Sequence, residues 1–488
     1  MKPREGDLPP QKDPPGTPDW PSHPAIEPRQ PRNLFLLAAH QIMLRLGWIF
    51  KTESVIMPFF VDGMTGGLGW MRGCLPVLNR LGQGVLPLFA ANYLKAMRLK
   101  KRALVVFALL MGLPFLTLSL TWFVVGGQKR AWMPWLFLVL YFVFFMFYGL
   151  YLVAFGTLQG KLVHPARRGY LILLSTFWGA IPATLVALWL MPGWLDPASP
   201  RWGHVFAFVG VCFFLSGLIA LRLFEPPEQT ASPGESRPVP RHLLPLVRKI
   251  SGSVTQSVVD TRRALRQDAN LRCLVLVAVL FGSGLIIVPH YQALAQEQSR
   301  RQPPTETRQE AGGLSGTQLM VWVVTQNAAV AVFSLLVGPL SDRRGYRLTM
   351  RLLIFASAVA PAFAVLLPLL PGHLGSRLFW LVYVPLGVVP LVPRVLLNYA
   401  LEICEPASHP RYQSIVGLSI AAPFLLSPAV GWLVDPRHGP FGSHGFLVVF
   451  LGTIALVVLS GWLTFRLDEP RERLPDGRAE GTGLGTPE

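Results

Sequence analysis

The sequence predicts an all-α membrane protein: twelve transmembrane helices in two pseudo-symmetric six-helix bundles. Three observations carry that expectation. Of 488 residues, 51% are hydrophobic and only 14% are charged, against roughly 25% charged in an average soluble domain. Apolar runs of about 20 residues, enough to cross a bilayer, recur along the chain. They fall into two sets of six, separated by a polar stretch at 225–269. Disordered, coiled-coil and soluble nucleic-acid-binding proteins do not have this composition.

The elements follow in order. Residues 1–33 are rich in proline and have no apolar core, so they read as a disordered cytoplasmic tail. The first bundle, 34–224, has spans at 34–61, 69–94, 103–125, 132–160, 169–192 and 203–224, bounded by polar or Pro/Gly breaks. In the central loop, 225–269, Leu243, Val247, Ile250, Val254 and Val258 recur at three- and four-residue steps. Arg248, Lys249, Arg262 and Arg263 lie off that stripe. This is the pattern of an amphipathic helix on a membrane surface. The second bundle, 270–467, has spans at 270–296, 316–341, 348–370, 378–403, 412–435 and 444–466, and 468–488 form a second disordered cytoplasmic tail.

Charge sets the orientation. With both termini cytoplasmic, that side carries 30 of the 44 Lys and Arg and the opposite loops carry eight. That is the positive-inside bias, and it accounts for much of the net charge of +18 without nucleic acid. The expected location is a plasma or inner membrane, with the lipid bilayer itself as a partner. Cys74, Cys212, Cys273 and Cys404 lie far apart with no CxxC pair, so neither a disulfide scaffold nor a zinc site is expected, and no cofactor. The halves also echo each other. Arg168 in GKLVHPARRGYLILLS and Arg411 in EICEPASHPRYQSIVGLS superpose at an offset of 243 residues, close to half the chain. A six-helix unit used twice is how many transporters are built.

The most specific string is GPLSDRRGYR, Gly338 to Arg347, at the end of the eighth span. It resembles the signature loop of the major facilitator superfamily, with Gly338, Asp342, Arg343, Gly345 and Arg347 in place. The physics agrees with a latch for conformational switching. Gly338 would let neighbouring helices approach, Asp342 could pair with a basic group or a helix N-terminus, and Gly345 would permit a tight turn. The matching loop of the first half, Asn92 to Leu104, keeps its basic residues but lacks the aspartate and glycine. The resemblance implies that spans 1, 4, 7 and 10 line a central path while 3, 6, 9 and 12 face lipid. It implies alternating access by rocking of the two bundles.

Charge inside a bilayer is costly and should face a cavity. Arg45 lies eleven residues into the first span, with Gln41 and Thr52 expected on its helical face. Arg80 is flanked by Asn79 and Gln83 in the second span, and Arg394, Asn398 and Glu402 form an i, i+4, i+8 ladder in the tenth. These residues read as a polar cavity whose cations receive an anionic group. A fixed structural pairing of Arg45 or Arg80 with Glu53 fits the same pattern. Lys51 and Arg72 are expected to snorkel toward the interface. Glu53 and Glu402 are carboxylates inside the expected spans, and Glu53 and His290 are the candidates for a coupling proton. Gln326, Asn327, Tyr148 and Tyr151 could add neutral contacts. The expected function is a secondary transporter of a small solute. The alternatives are a transporter-like receptor or scaffold, and a membrane enzyme. The chain has no HExxH and no GxxxxGK[ST] loop, and GTGLGT at 481–486 has no strand before it.

Overall fold

A computed structural model describes residues 26–226 and 261–469, apart from Arg98, 165–166, 168–169, 172–173, 302–313, 372–373 and 406–407. At Glu27, 85–96, Arg301 and Pro410 it describes the backbone alone. The two tails, most of the amphipathic stretch and Arg168 lie outside the described residues.

The regular structure described is helical throughout. In the first half, α1 (Gln30–Ile49) and α2 (Ile56–Thr65) make one broken span. They are followed by α3 (Gly69–Ala96), α4 (Lys100–Val124), α5 (Met133–Leu162), α6 (Gly179–Trp194), which a π turn at Leu174–Trp178 precedes, and α7 (Trp202–Ala220). In the second half, α8 (Ala269–Leu285) and α9 (Tyr291–Arg301) form one span and α10 (Gly316–Leu366) forms two. A tenth span is assembled from α11 (Leu374–Leu378), α12 (Tyr383–Leu386) and α13 (Val392–Glu402). The last two are α14 (His409–Ala421) with α15 (Ser427–Leu433), and α16 (Gly445–Leu463).

Among the described residues, eight helices are long and apolar enough to cross a membrane. One of these, α10, bends at Gly345, whose φ of 80° is left-handed and suits glycine, so it crosses twice. The three remaining spans of the twelve are the polar or broken ones: α1 with α2, α3, and α11 to α13. In the last of these, Pro385, Pro390 and Pro393 remove ladder donors and interrupt the helix. Helix starts follow their side chains. Ser315 and Gln318 form a capping box at α10, and Asp268 accepts from the Leu271 N–H at α8.

Within the first half, α4 packs on α5 and α7, α3 on α5, and α1 on α6 and α7. Within the second, α8 packs on α14 and α16, and α10 on α12 and α16. Lipid is as apolar as leucine, so such packing depends on close fit rather than on exclusion of water. Edge-to-face rings supply part of it in the first half, where Phe60 meets Trp122, Trp202 and Phe206 with centroids 4.9–6.4 Å apart. The halves meet through α3 on α15 and α6 on α10. Both contacts lie at the face opposite the start of α1 and the end of α16, called the far face below.

Candidate functional site

The break between α1 and α2 decides where the first span's charges go. The Thr52 hydroxyl donates to the Ile49 carbonyl at 2.7 Å, closing α1 and ending its regular helical phase. Thr52 therefore does not continue the Arg45 face, as uninterrupted helical spacing would require. Lys51, one residue earlier, is fully buried. Its Nζ lies 2.9 Å from Glu53 Oε1 and 4.1–5.1 Å from the ring centres of Trp48, Tyr141, Phe144 and Phe145. Cation–π attraction and the ion pair together hold the ammonium inside, so the expected snorkelling does not occur. The other Glu53 oxygen accepts from Asn79 Nδ2 at 2.5 Å, and Gln83 donates to Asn79 Oδ1. Glu53 is thus held by Lys51 and Asn79, and neither Arg45 nor Arg80 forms an ion pair with it.

Three guanidiniums have no such partner. Arg45 of α1 and Arg394 of α13 come from opposite halves, yet lie close enough for their charges to act on each other. The Tyr148 hydroxyl of α5 is within reach of the charges of Glu53, Arg394 and Arg80. Arg80 stacks over Phe424, with Cζ 4.9 Å from the ring centre. Among the described residues, no carboxylate is within ion-pair distance of Arg45, Arg80 or Arg394. Arg394 and Asn398 are exposed although they face the other half, so the space between the halves opens toward the face of the termini. Glu402, lower on the same ladder, lines a separate hollow at that face with Gln267, Asp268, Asn270 and Asp468.

Gln41 lies one turn before Arg45 and donates its amide to the Tyr151 hydroxyl at 2.6 Å. That hydroxyl is also 3.0 Å from Nε2 of His40, whose Nδ1 is 2.8 Å from the Ser216 carbonyl. His40 is a network residue that pattern reasoning passed over, because a lone histidine in an apolar run reads as packing. Among the neutral candidates, Gln326 accepts from the Ser54 hydroxyl across the halves. Asn327 turns back to its own helix, donating to the Val323 carbonyl.

The far face is sealed. Arg72 is buried and donates through Nη1 to Asp62 at 2.5 Å and through Nε to His290 Nδ1 at 2.9 Å. It is a lock between halves, not a snorkelling cation. Asp62 is a buried carboxylate one residue past the expected end of the first span, and His290 is buried away from the cavity. Beside this lock, a Cβ on Gly69 would collide with the Gly431 carbonyl oxygen, so the two backbones touch. The Gly69 N–H donates to Asp435 at 3.0 Å. Burial would push the Asp435 carboxyl up, but N–H groups of Gly69, Arg437 and His438 outweigh it and hold the group below its ordinary value.

At the face of the termini, the hydrogen bonds described run within each half. In the second half, Gly345 lies against Glu469, a residue past the last span. Arg347 donates to the Phe465 carbonyl at 3.5 Å, and Arg351 donates to Thr464 Oγ1 at 3.2 Å. Asp342 and Arg343 are exposed. Gly338 is exposed too, and a Cβ there would meet nothing within 4 Å. The close helix approach expected at Gly338 is therefore not made while this face is open. The first half has its own clasp, unread in the sequence. Glu225 accepts from the backbone N–H groups of Lys100 and Lys101 at 3.1 and 2.7 Å and pairs with Lys161 at 2.9 Å.

Residues 303–486 match the family model described as Major Facilitator Superfamily. A search of curated protein sequences returns no match. Among solved structures, the chain resembles the nucleoside transporter NupG at 13% identity, covering 90% of this chain and 99% of that one with a TM-score of 0.64. It resembles a D-xylose–proton symporter at 13% identity, covering 90% and 99%, with a TM-score of 0.61. It also resembles a peptide transporter of the POT type, solved with sulfate, at 14% identity, covering 90% and 95%, with a TM-score of 0.60. At such identities these structures speak for the fold, while the second half carries the family's sequence. The fold along the chain is thus that of these membrane transporters, and residues 303–486 match the sequence model of the Major Facilitator Superfamily.

Proposed function

We propose that this secondary transporter carries a small organic anion, bound between the halves by Arg45, Arg80 and Arg394 and moved by alternating access. One observation carries the reading. Lys51 and Arg72 have carboxylate partners, whereas these three guanidiniums face a shared space with none among the described residues. Unpaired charge inside a membrane protein is costly, and an anion would relieve it. Guanidinium suits carboxylate or phosphate through two parallel hydrogen bonds. Because the cations come from both halves, an anion drawn between them would pull the halves together, which is what coupling of binding to rocking requires.

Gln41, Asn79, Gln83 and Asn398 line or support the same space. Glu53, its partly exposed carboxylate, is the group we assign to a coupling proton. His290 sits in the far-face lock instead. With basic loops cytoplasmic, the conformation described here is inward-facing and both termini lie inside. The reading is tested by binding and uptake in proteoliposomes against labelled anionic, neutral and cationic solutes. Arg45→Gln, Arg80→Gln and Arg394→Gln should each weaken binding of the transported anion by about tenfold or more, or about 1.4 kcal/mol, with Arg→Lys restoring part. A transported neutral or cationic solute, unaffected by all three variants, would sink it.

A further inference from the structure

We propose that the solute is a hydroxylated organic anion, and that Gln41, oriented by Tyr151 and His40, accepts a hydrogen bond from its hydroxyl. This rests on the anion reading above and adds a second recognition element to it.

The orientation follows from counting protons. His40 is fully buried, and its Nδ1 lies 2.8 Å from the Ser216 carbonyl oxygen. A carbonyl can only accept, so Nδ1 carries a proton. No described carboxylate touches His40, and an unpaired buried cation is costly, so the ring holds that one proton and Nε2 is a bare acceptor. The Tyr151 hydroxyl, 3.0 Å from Nε2, therefore donates to it. A tyrosine hydroxyl has one proton to give. The contact of 2.6 Å between this oxygen and Gln41 must then be made by the glutamine amide N–H. That assignment fixes which end of the amide is which.

The consequence lies at the opposite end of the Gln41 amide. Its Oε1 takes no hydrogen bond from any described residue. Gln41 stands four residues before Arg45, on the same helical face, and that face meets the charge of Arg394. The cavity thus presents three cations, the Glu53 carboxylate already held by Lys51 and Asn79, and the oriented Gln41 carbonyl as an open acceptor. An acceptor calls for a donor on the solute. An ammonium donor would be repelled by the guanidiniums, whereas a hydroxyl is neutral and fits. A site that hydrogen-bonds a substrate hydroxyl discriminates strongly against the analogue lacking it, because its own polar group is left unsatisfied.

The test uses the purified full-length protein and pairs of acids differing by one hydroxyl: propionate and lactate, succinate and malate, benzoate and 4-hydroxybenzoate. Binding is measured as the shift in melting temperature with concentration. In at least one pair the hydroxylated member should bind about tenfold tighter or more. Gln41→Leu should level the two members. Tyr151→Phe keeps the ring but frees the amide to turn, so it should narrow the preference between the two members of a pair. Arg80→Gln should weaken both members alike. Equal binding of both members in every pair, or a preference that survives Gln41→Leu, overturns the proposal. If Arg80→Gln still weakens both in that case, the anion reading stands alone. If none of the six acids shifts the melting temperature, the anion reading fails and this inference with it.

Discussion

Whether a charge in this membrane region is structural or functional comes down to what it touches. Lys51 and Arg72 are fully enclosed and paired, while Arg45, Arg80 and Arg394 share a space with no described carboxylate in ion-pair range. The positions of all five were legible, since a basic residue in an apolar run is conspicuous. Their pairings were not. Arg72 and His290 are 218 residues apart, and Asp62 sat just outside the apolar run that marked the span. Removing one partner of a buried pair strands the other. Asp62→Asn should therefore lower stability by about 3–5 kcal/mol, read as a drop in melting temperature in detergent. Asp62→Asn combined with Arg72→Met, which removes both charges, should recover much of that loss. A double variant no more stable than the single one would mean that Arg72 is held by something other than charge.

At the level of elements, the apolar runs located the helices but not their interruptions. A steady 100° per residue carried the Arg45 face through to Thr52, whereas Thr52 ends α1 by bonding back to Ile49. The same break brings Lys51 and Glu53 together beside Asn79. Thr52 was the available signal, because a threonine hydroxyl can compete for backbone groups that a helix would otherwise use. The contact of α3 with α15 was invisible for another reason: small residues at a crossing are recognised only once both helices are placed. That contact now yields a prediction. At Gly69 any side chain would strike the Gly431 carbonyl, so Gly69→Leu should prevent closure of the far face. In a background without the native cysteines, an Asn398→Cys probe in the cavity should then label more slowly from the face of the termini and faster from the far face. Unchanged labelling from both faces would show that the α3–α15 contact is not what closes the far side.

Across the whole molecule, the half-chain repeat reappears as chemistry. Glu225 and Glu469 each follow the last span of a half, 244 residues apart, within one residue of the sequence offset of 243. Each sits at the basic segment between its half's second and third spans, Glu225 against Lys100 and Lys101 and Glu469 against Gly345. The first half thus fastens its loop without the aspartate and glycine of the signature, which explains how it can depart from that pattern and still hold together. In the open state seen here, Gly345 is fastened to its own half while Asp342 and Arg343 are exposed. Both lie at the face of the termini, far along the chain from the cavity cations. A group at this face, away from the cavity cations, acts on the balance of the two states and the rate of exchange, not on the affinity of the cavity within one state. Asp342→Asn should accordingly slow uptake into proteoliposomes by about tenfold, equivalent to about 1.4 kcal/mol. Equilibrium binding of the transported solute should stay within a few-fold of the unaltered protein. Binding lost as fully as transport would place Asp342 in solute recognition and remove it from the switch.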